Sequence, residues 1–388
     1  MHWILASARM TIILSMKQQS QIPFVDLKTQ YYAIEPEITA AMKRVFEKGQ
    51  FIGGEEVEKF EDEFARYTGS KHCIALNSGT DALILGMKAL NLEPGSEVII
   101  PANTFFATAL AATENGLKPV FVDASPDYGM DTVDLKKKIT DRTRAVIPVH
   151  LYGQPDDLDA VERVINGKNI LLVEDAAQAH GSEYNGKKAG SRGVFGVYSF
   201  YPGKNLGAYG DGGAIVTQDD KLADQYRLLR EYGSRKKYYH EILGRNTRLD
   251  TMQGAILRVK LGHLDEWNAK RRKIAAFYDN ALGNLAPHVI TPVTHDNRTH
   301  MYHVYVVRAQ KREELQHYLA SKGITTLIHY PYPLHLQTAF SYLGYKQGDL
   351  PIAEKLAGEI LSLPMYPELT EEMAAYVAAA VKEFYSHA

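Results

Sequence analysis

The sequence predicts an α/β protein, with a mostly parallel seven-stranded sheet between helices and a small C-terminal α+β unit. Three observations carry this. Apolar runs at 72–76, 97–101, 119–122, 145–148 and 170–173 alternate with helix-period segments, about one βα unit per twenty-five residues. The runs are continuous rather than alternating, as in strands covered by helices on both faces. Beyond residue 217 helices dominate, with only two more strand-like runs, at 302–308 and 325–329.

In chain order, residues 1–21 stand apart. Their apolar piece, Thr11–Met16, is too short for a signal h-region, so they read as a disordered extension or as a start placed ahead of Met16. An extended segment, Ile22–Leu27, leads to an amphipathic helix at 35–47; Gly49–Gly54 breaks it before a second helix at 55–68. The five βα units follow. Phe195–Ser199 and Gly213–Thr217 are the sixth and seventh strands, and their short link suits one antiparallel strand in a parallel sheet. A helix at 220–232 leads into a polar, basic-aromatic stretch, 233–246, and then a long helical pattern over 249–282. The junction is set on this last helix, dividing a large unit, 22–255, from a small one, 256–388. Helices follow at 312–322, 351–361 and 371–384, with Asp349 as the expected N-cap of the second and Pro351 in its first turn.

Composition narrows the function. Lys and Arg number 44 against 46 Asp and Glu, a formal charge of −2, so neither nucleic acid nor another polyanion is indicated. The one cysteine, Cys73, excludes a disulfide framework and a Cys-based metal cluster, and no metal is expected; a reducing, cytoplasmic setting fits. The longest apolar runs are far shorter than a membrane span.

Ligands of open α/β sheets bind at the carboxyl ends of the strands. The first strand ends in Asn77-Ser78-Gly79-Thr80-Asp81, where glycine, hydroxyl and helix start make a phosphate site, or a simple N-cap by Ser78 or Thr80. The second ends at Phe105-Phe106, core aromatics or a platform for a flat heterocycle. The fifth ends in Glu174-Asp175-Ala176-Ala177-Gln178. An acid there is costly to bury without a cation, and a protonated pyridine nitrogen is one; the competing reading is a helix cap. Lys204 lies in the glycine-rich bend Ser199–Gly213 between two strands. Such a lysine is either a solvated surface charge or, if desolvated, an amine nucleophile for carbonyls. Gly207–Gly213 precedes a strand, so it is no dinucleotide fingerprint, and Gly203-Lys204-Asn205 lacks the flanks of a P-loop.

The order of these segments resembles the DegT/DnrJ/EryC1/StrS sugar aminotransferases, pyridoxal-phosphate enzymes of fold type I. The resemblance runs from Ile22 to the C-terminus. It is carried by Asn77–Leu83, Glu174–Gln178, Ser199–Gly213, Gly244–Asp250, His329–His335 and Leu361–Met365. It implies that Lys204 holds pyridoxal 5'-phosphate covalently and shuttles the proton of the transfer. Asp175 pairs with the ring nitrogen, Gln178 lies near the ring, Phe105 stacks on it, and Gly79, Thr80 and Ser199 hold the phosphate. Asn246 reaches that phosphate from the partner in a homodimer whose active site lies at the interface. Arg248, His329 and Tyr330 are candidates for binding substrate, and the stretch 234–240 is either a nucleotide-sugar contact or an exposed loop. The implied reaction moves an amino group from glutamate to a keto nucleotide sugar. Tyr-Pro-Gly before the lysine and Leu-Gly-x-x-Gly-Asp-Gly-Gly after it resemble members acting on 3-keto sugars. The alternatives are a 4-keto enzyme of the same family and a non-catalytic regulator of the same fold.

Overall fold

The computed structural model describes residues 21–386. The extension at 1–20, with Met16, lies outside the described residues.

The large unit is built on seven strands in the order β1-β9-β8-β5-β4-β2-β3. They are β1 (His72–Leu76), β2 (Glu97–Pro101), β3 (Lys118–Val122), β4 (Thr143–Val146), β5 (Leu171–Asp175), β8 (Phe195–Ser199) and β9 (Gly213–Thr217); β6 (Glu183–Tyr184) and β7 (Lys187–Lys188) form a separate small ribbon. Strand β9 is antiparallel to both neighbours and all other pairs run parallel, as expected from the short link before it. Nearly every residue of these strands is buried, because helices cover both faces. The helices are α1 (Leu27–Lys48), α2 (Glu55–Thr68), α3 (Gly79–Ala89), α4 (Phe106–Thr113), α5 (Thr132–Lys138), α6 (Leu158–Ile165) and α7 (Asp220–Arg230).

Stretch 233–246 carries a two-stranded hairpin, β10 (Ser234–Lys236) and β11 (Tyr239–His240), whose side chains are largely exposed. Helix α8 (Thr251–Leu282), 32 residues and about 48 Å at 1.5 Å per residue, links the two units. Its first half packs on α1 and α2. Its second half joins a three-stranded sheet, β12 (Val289–Ile290), β13 (Tyr305–Ala309) and β14 (Ile360–Leu363), flanked by α9 (Arg312–Ser321), α10 (Pro351–Glu359) and α11 (Glu371–Ser386). Tyr278 of α8 and Tyr305 of β13 meet at 4.9 Å between ring centroids in that core.

Several boundaries differ from expectation, each for a local reason. Helix α1 starts at Leu27, not 35, because Asp26 caps it, accepting from the Thr29 amide at 2.9 Å and the Thr29 hydroxyl at 2.7 Å. Residues 325–329 are not a strand; they contribute one isolated bridge, Leu327 to Ser362. The third strand of the small sheet is instead Ile360–Leu363, an apolar run whose burial ends α10 at Glu359. Asp349 does not cap α10. Asp123, just past β3, does so, accepting from the first-turn amides of Ile352 at 3.0 Å and Ala353 at 2.7 Å, while Glu354 holds the turn ahead of the helix through the Gly348 amide at 2.8 Å.

Strand alternation separates the two acids of β5. Glu174 is fully buried, away from the face that Asp175 presents to α4. Its carboxylate accepts from His150 Nε2 at 2.9 Å, and from the amides of Gly190 at 2.8 Å, Arg192 at 2.6 Å and Gly193 at 2.6 Å. The Asp156 amide donates to His150 Nδ1 at 3.1 Å, so the ring's proton sits on Nε2. Burial pushes the Glu174 carboxyl up, but the hydrogen bonds from His150 and the two glycine amides outweigh it and hold it below the ordinary range. The anion thereby ties the turn before β8 to β5.

Glu174→Gln is expected to cost about 2–4 kcal/mol, because an amide nitrogen opposes donors that a carboxylate satisfies. The wild-type contribution is present above the unfolded glutamate's pKa and is lost as pH falls through the lower folded value. Urea unfolding of both proteins at pH 7 and pH 4 checks both statements: the gap between them narrows at the lower pH.

Candidate active site

The register of β9 assembles the site. Gly213 pairs with Leu76 on one side and with Ser199 on the other, so the segment after β1 lies against the end of β8. The approach is close. A Cβ on Gly213 would stand 2.3 Å from the Ser78 carbonyl carbon, and one on Gly79 would stand 2.7 Å from Ser199 Cβ. Only glycine admits it. Helix α3 begins there, capped by Ser78 Oγ, which accepts from the Asp81 amide at 3.0 Å. First-turn amides without intrahelical partners then share a cavity with Thr80 and Ser199, which makes an anion seat.

The cavity measures about 500 Å³. Lys204 enters it from a pinned bend: its own amide donates to Tyr201 O at 2.8 Å, and the Ala208 amide to Phe200 O at 2.8 Å. The Asn205 side chain, buried next to it, donates to Asn268 Oδ1 at 2.8 Å and to Met301 O at 2.9 Å. Burial of the amine lowers the Lys204 pKa to about 8, while the Asp175 carboxylate pulls the other way.

Asp175 ends β5 and pairs with Val197, two residues ahead of Ser199. It is buried, accepting from Thr108 Oγ1 at 2.8 Å and from the Ala177 amide at 3.1 Å. Burial raises its pKa, against those two hydrogen bonds and the charge of Lys204. The carboxylate thus has fewer partners than its burial calls for, and a cation in the cavity would complete it. Gln178 is held at both ends, accepting from the Tyr152 amide at 2.7 Å and donating to Tyr330 Oη at 3.0 Å. Phe105 is exposed to the cavity, its ring centroid 5.4 Å from that of Tyr330. His329 stacks on Phe24 at 5.5 Å and contacts Ser362 Oγ through Nδ1 at 2.8 Å.

Nine of the expected residues therefore share this cavity: Gly79, Thr80, Phe105, Asp175, Gln178, Ser199, Lys204, His329 and Tyr330. Asn246 and Arg248 do not line it. Asn246 is exposed and bridged to Glu231; Arg248 Nη1 donates to Glu231 Oε1 at 2.7 Å, with its guanidinium over the Tyr232 ring. Sequence reasoning missed Thr108, His303 and the pair Phe24 and Val25, which all reach the cavity. Thr108 lies on the first turn of α4 beyond the rim aromatic, a position that could have marked it. His303 is a polar residue at the edge of an apolar run, a weaker signal.

A lowered pKa does not identify the functional lysine. Lys260, on α8, is buried with its Nζ 4.8 Å from the Tyr209 ring centroid and 5.8 Å from that of Trp267; burial lowers its pKa to about 7. It does not line the cavity. What distinguishes Lys204 is that it faces an acid and an anion seat across open space.

A sequence model of the DegT/DnrJ/EryC1/StrS aminotransferase family matches residues 32–382. The chain belongs to this family. A "Pleiotropic regulatory protein" from Geobacillus stearothermophilus is 48% identical over 371 residues, covering 94% of this chain and 99% of the relative. A "dTDP-3-amino-3,4,6-trideoxy-alpha-D-glucose transaminase" from Streptomyces venezuelae is 45% identical over 371 residues, covering 95% and 98%. Among solved structures, S. venezuelae DesV in complex with a ketimine intermediate superposes with a TM-score of 0.92 at 45% identity, covering 94% of this chain and 99% of that one. Family membership agrees with the fold-type expectation.

In the free protein Lys204 is expected to titrate near pH 8 rather than at the ordinary 10.5. Reductive ¹³C-methylation followed by NMR reads this directly, with Lys204→Gln assigning the signal. The sign for stability follows: the unfolded chain binds this proton more tightly, so its contribution makes the free protein more stable as pH rises from about 8 to 10.5.

Proposed function

We propose that this chain is a pyridoxal-phosphate-dependent aminotransferase that moves an amino group from glutamate to the 3-keto group of a nucleotide sugar. The observation that carries the reading is the opposition of Lys204 and the under-partnered Asp175 across one cavity, with an anion seat at Gly79. The donor set fits the cofactor: a carboxylate short of a cation suits a protonated pyridine nitrogen, and first-turn amides with two hydroxyls suit a phosphate. The "3-amino" in the name of the Streptomyces venezuelae relative supports the sugar position. The regulator's name borne by another relative is compatible with the same chemistry, because the nucleophile and its acid are both in place here.

When bound, pyridoxal phosphate supplies an aldehyde that links to amines and a ring that accepts the electron pair left by a departing proton. The chain's residues do the rest. Gly79, Thr80 and Ser199 would hold the phosphate, and Phe105 would lie against the ring. Gln178, fixed by the Tyr152 amide and Tyr330, orients the ring edge. Asp175, steadied by Thr108, holds the proton on the ring nitrogen, which keeps the ring electron-poor. Lys204, neutral for much of its population near pH 8, takes a proton at Nζ from one carbon and returns it to the carbon two bonds further along, across the nitrogen. His329 and Tyr330, which line the cavity, are the proposed substrate contacts; Arg248, off the cavity in a single chain, is proposed as one only across the dimer interface.

The working unit proposed is a cytoplasmic homodimer. Exposed apolar side chains, Phe46, Phe51 and Ile52 on one stretch and Tyr238 and Leu243 by the hairpin, suit burial by a second copy. Asn246, exposed at the base of that hairpin, is proposed to reach the partner's phosphate seat.

Three measurements test this. Lys204→Ala and Asp175→Asn each lower kcat by about 10²–10⁴-fold, the usual loss of a proton-transfer group, and wild-type product NMR places nitrogen on C3; nitrogen on C4 overturns the sugar assignment. Mixed dimers of Lys204→Ala with Asn246→Asp regain activity, because one of the two sites is then intact. Without such recovery Asn246 does not act across the interface.

A further inference from the structure

The mechanism above leaves one polar contact of Lys204 unused. His303 Nε2 lies 3.4 Å from Lys204 Nζ, and both side chains line the cavity. His303 Nδ1 is buried and without a hydrogen-bond partner among the described residues, so the amine is the imidazole's only polar contact there.

The backbone around His303 is clamped. Its amide donates to Tyr152 O at 2.8 Å, and its carbonyl accepts from Arg271 Nη1 at 3.2 Å. The same guanidinium nitrogen donates to Tyr302 O at 3.1 Å and Met365 O at 2.9 Å, which ties the segments 302–303 and 365 to α8. Gly153 permits the approach: a Cβ there would stand 2.9 Å from the His303 amide nitrogen, and its φ of +108° suits glycine. Tyr152, beside it, also sets Gln178 through its amide. The turn that orients Gln178 therefore also orients His303. Such over-determination is expected of a group whose position matters to a reacting atom.

We propose that His303 is the resting partner of the Lys204 amine, its Nε2 accepting a hydrogen bond from Nζ whenever that amine is engaged with neither cofactor nor substrate. The inference rests on the function proposed above only for what Lys204 engages. With one N–H given to the imidazole, the lysine keeps its lone pair and a second N–H for the cavity, the arrangement a proton shuttle needs. Acceptance at Nε2 puts the ring proton on Nδ1. Neutrality of the ring is consistent with its surroundings: burial first, then the charges of Lys204 and Arg271 with His329 and His180 nearby, hold its pKa well below the ordinary 6.5.

The test is the Lys204 titration in cofactor-free protein, by the ¹³C-methyl signal, in wild type, His303→Leu and His303→Gln. An acceptor stabilises the ammonium more than the amine, so its loss lowers the midpoint. The expected shift in H303L is about one pH unit, tenfold in proton affinity, with H303Q returning most of it through its amide oxygen. A wild-type midpoint in H303L, or an H303Q midpoint no higher than that of H303L, overturns the proposal. If H303L does not fold, His303→Asn replaces it, because the shorter side chain sets its amide near the Nδ1 position, out of reach of Nζ. It is then expected to show the lowered midpoint, and an unmoved one overturns the proposal. In the loaded enzyme, H303L slows the half-reaction with glutamate while leaving the KM for glutamate within about twofold, as for a group that acts on the shuttle and not on binding. Failure of pyridoxal phosphate to attach at Lys204 in wild type would sink the cofactor reading and leave the titration result standing.

Discussion

The close approach at Gly213 is the constraint on which the rest of the structure depends. One antiparallel strand, β9, has β1 on one edge and β8 on the other, and its first residue pairs with the last of each. Two strand ends that lie far apart in sequence are thereby held side by side, with a glycine at each contact because a methyl group would not fit. The start of α3 and the serine ahead of the lysine bend become one seat. The bend must then turn back over the sheet to re-enter as β9, and Lys204 is carried over the carboxyl end of β5. The site is a consequence of the sheet order.

Charge placement follows the same economy. Adjacent acids on β5 point to opposite faces and meet opposite fates. Glu174 is satisfied by a histidine and three backbone amides, so it works as an internal anchor. Asp175 has a hydroxyl and one amide, and is left wanting a cation. Lys204 and Lys260, both with lowered pKa values, show a parallel contrast. Lys260 sits over aromatic faces away from the cavity, whereas Lys204 has an imidazole, a carboxylate and open space before it. Burial lowers both; only the surroundings of Lys204 give the amine something to do.

Much of this was legible in the sequence, and the part that was not has a physical reason. Continuous apolar runs between helix-period segments mark a covered parallel sheet, and all seven strands overlap those runs, β4 starting and ending two residues early. Lys204, Asp175 and Gly79 stood out because each breaks its local pattern at a strand end. Thr108 and His303 did not, because their partners lie 67 and 99 residues away and only the folded register joins them. The strand at Ile360–Leu363, expected instead at 325–329, was hidden for a similar reason. Ile360–Leu363 continues a helical period, and it pairs with β13 because that pairing buries it. Asn246 and Arg248 lie off the cavity in a single chain, and the role proposed for Asn246 requires a second one.

The central claim is that Lys204, and not another desolvated lysine, is the amine to which the cofactor links. Borohydride reduction of the protein with pyridoxal phosphate, followed by proteolysis and mass spectrometry, tests it most directly. The account predicts a single reduced adduct, on the peptide containing Lys204. An adduct on Lys260, or label scattered over surface lysines with Lys204 unmodified, would contradict it.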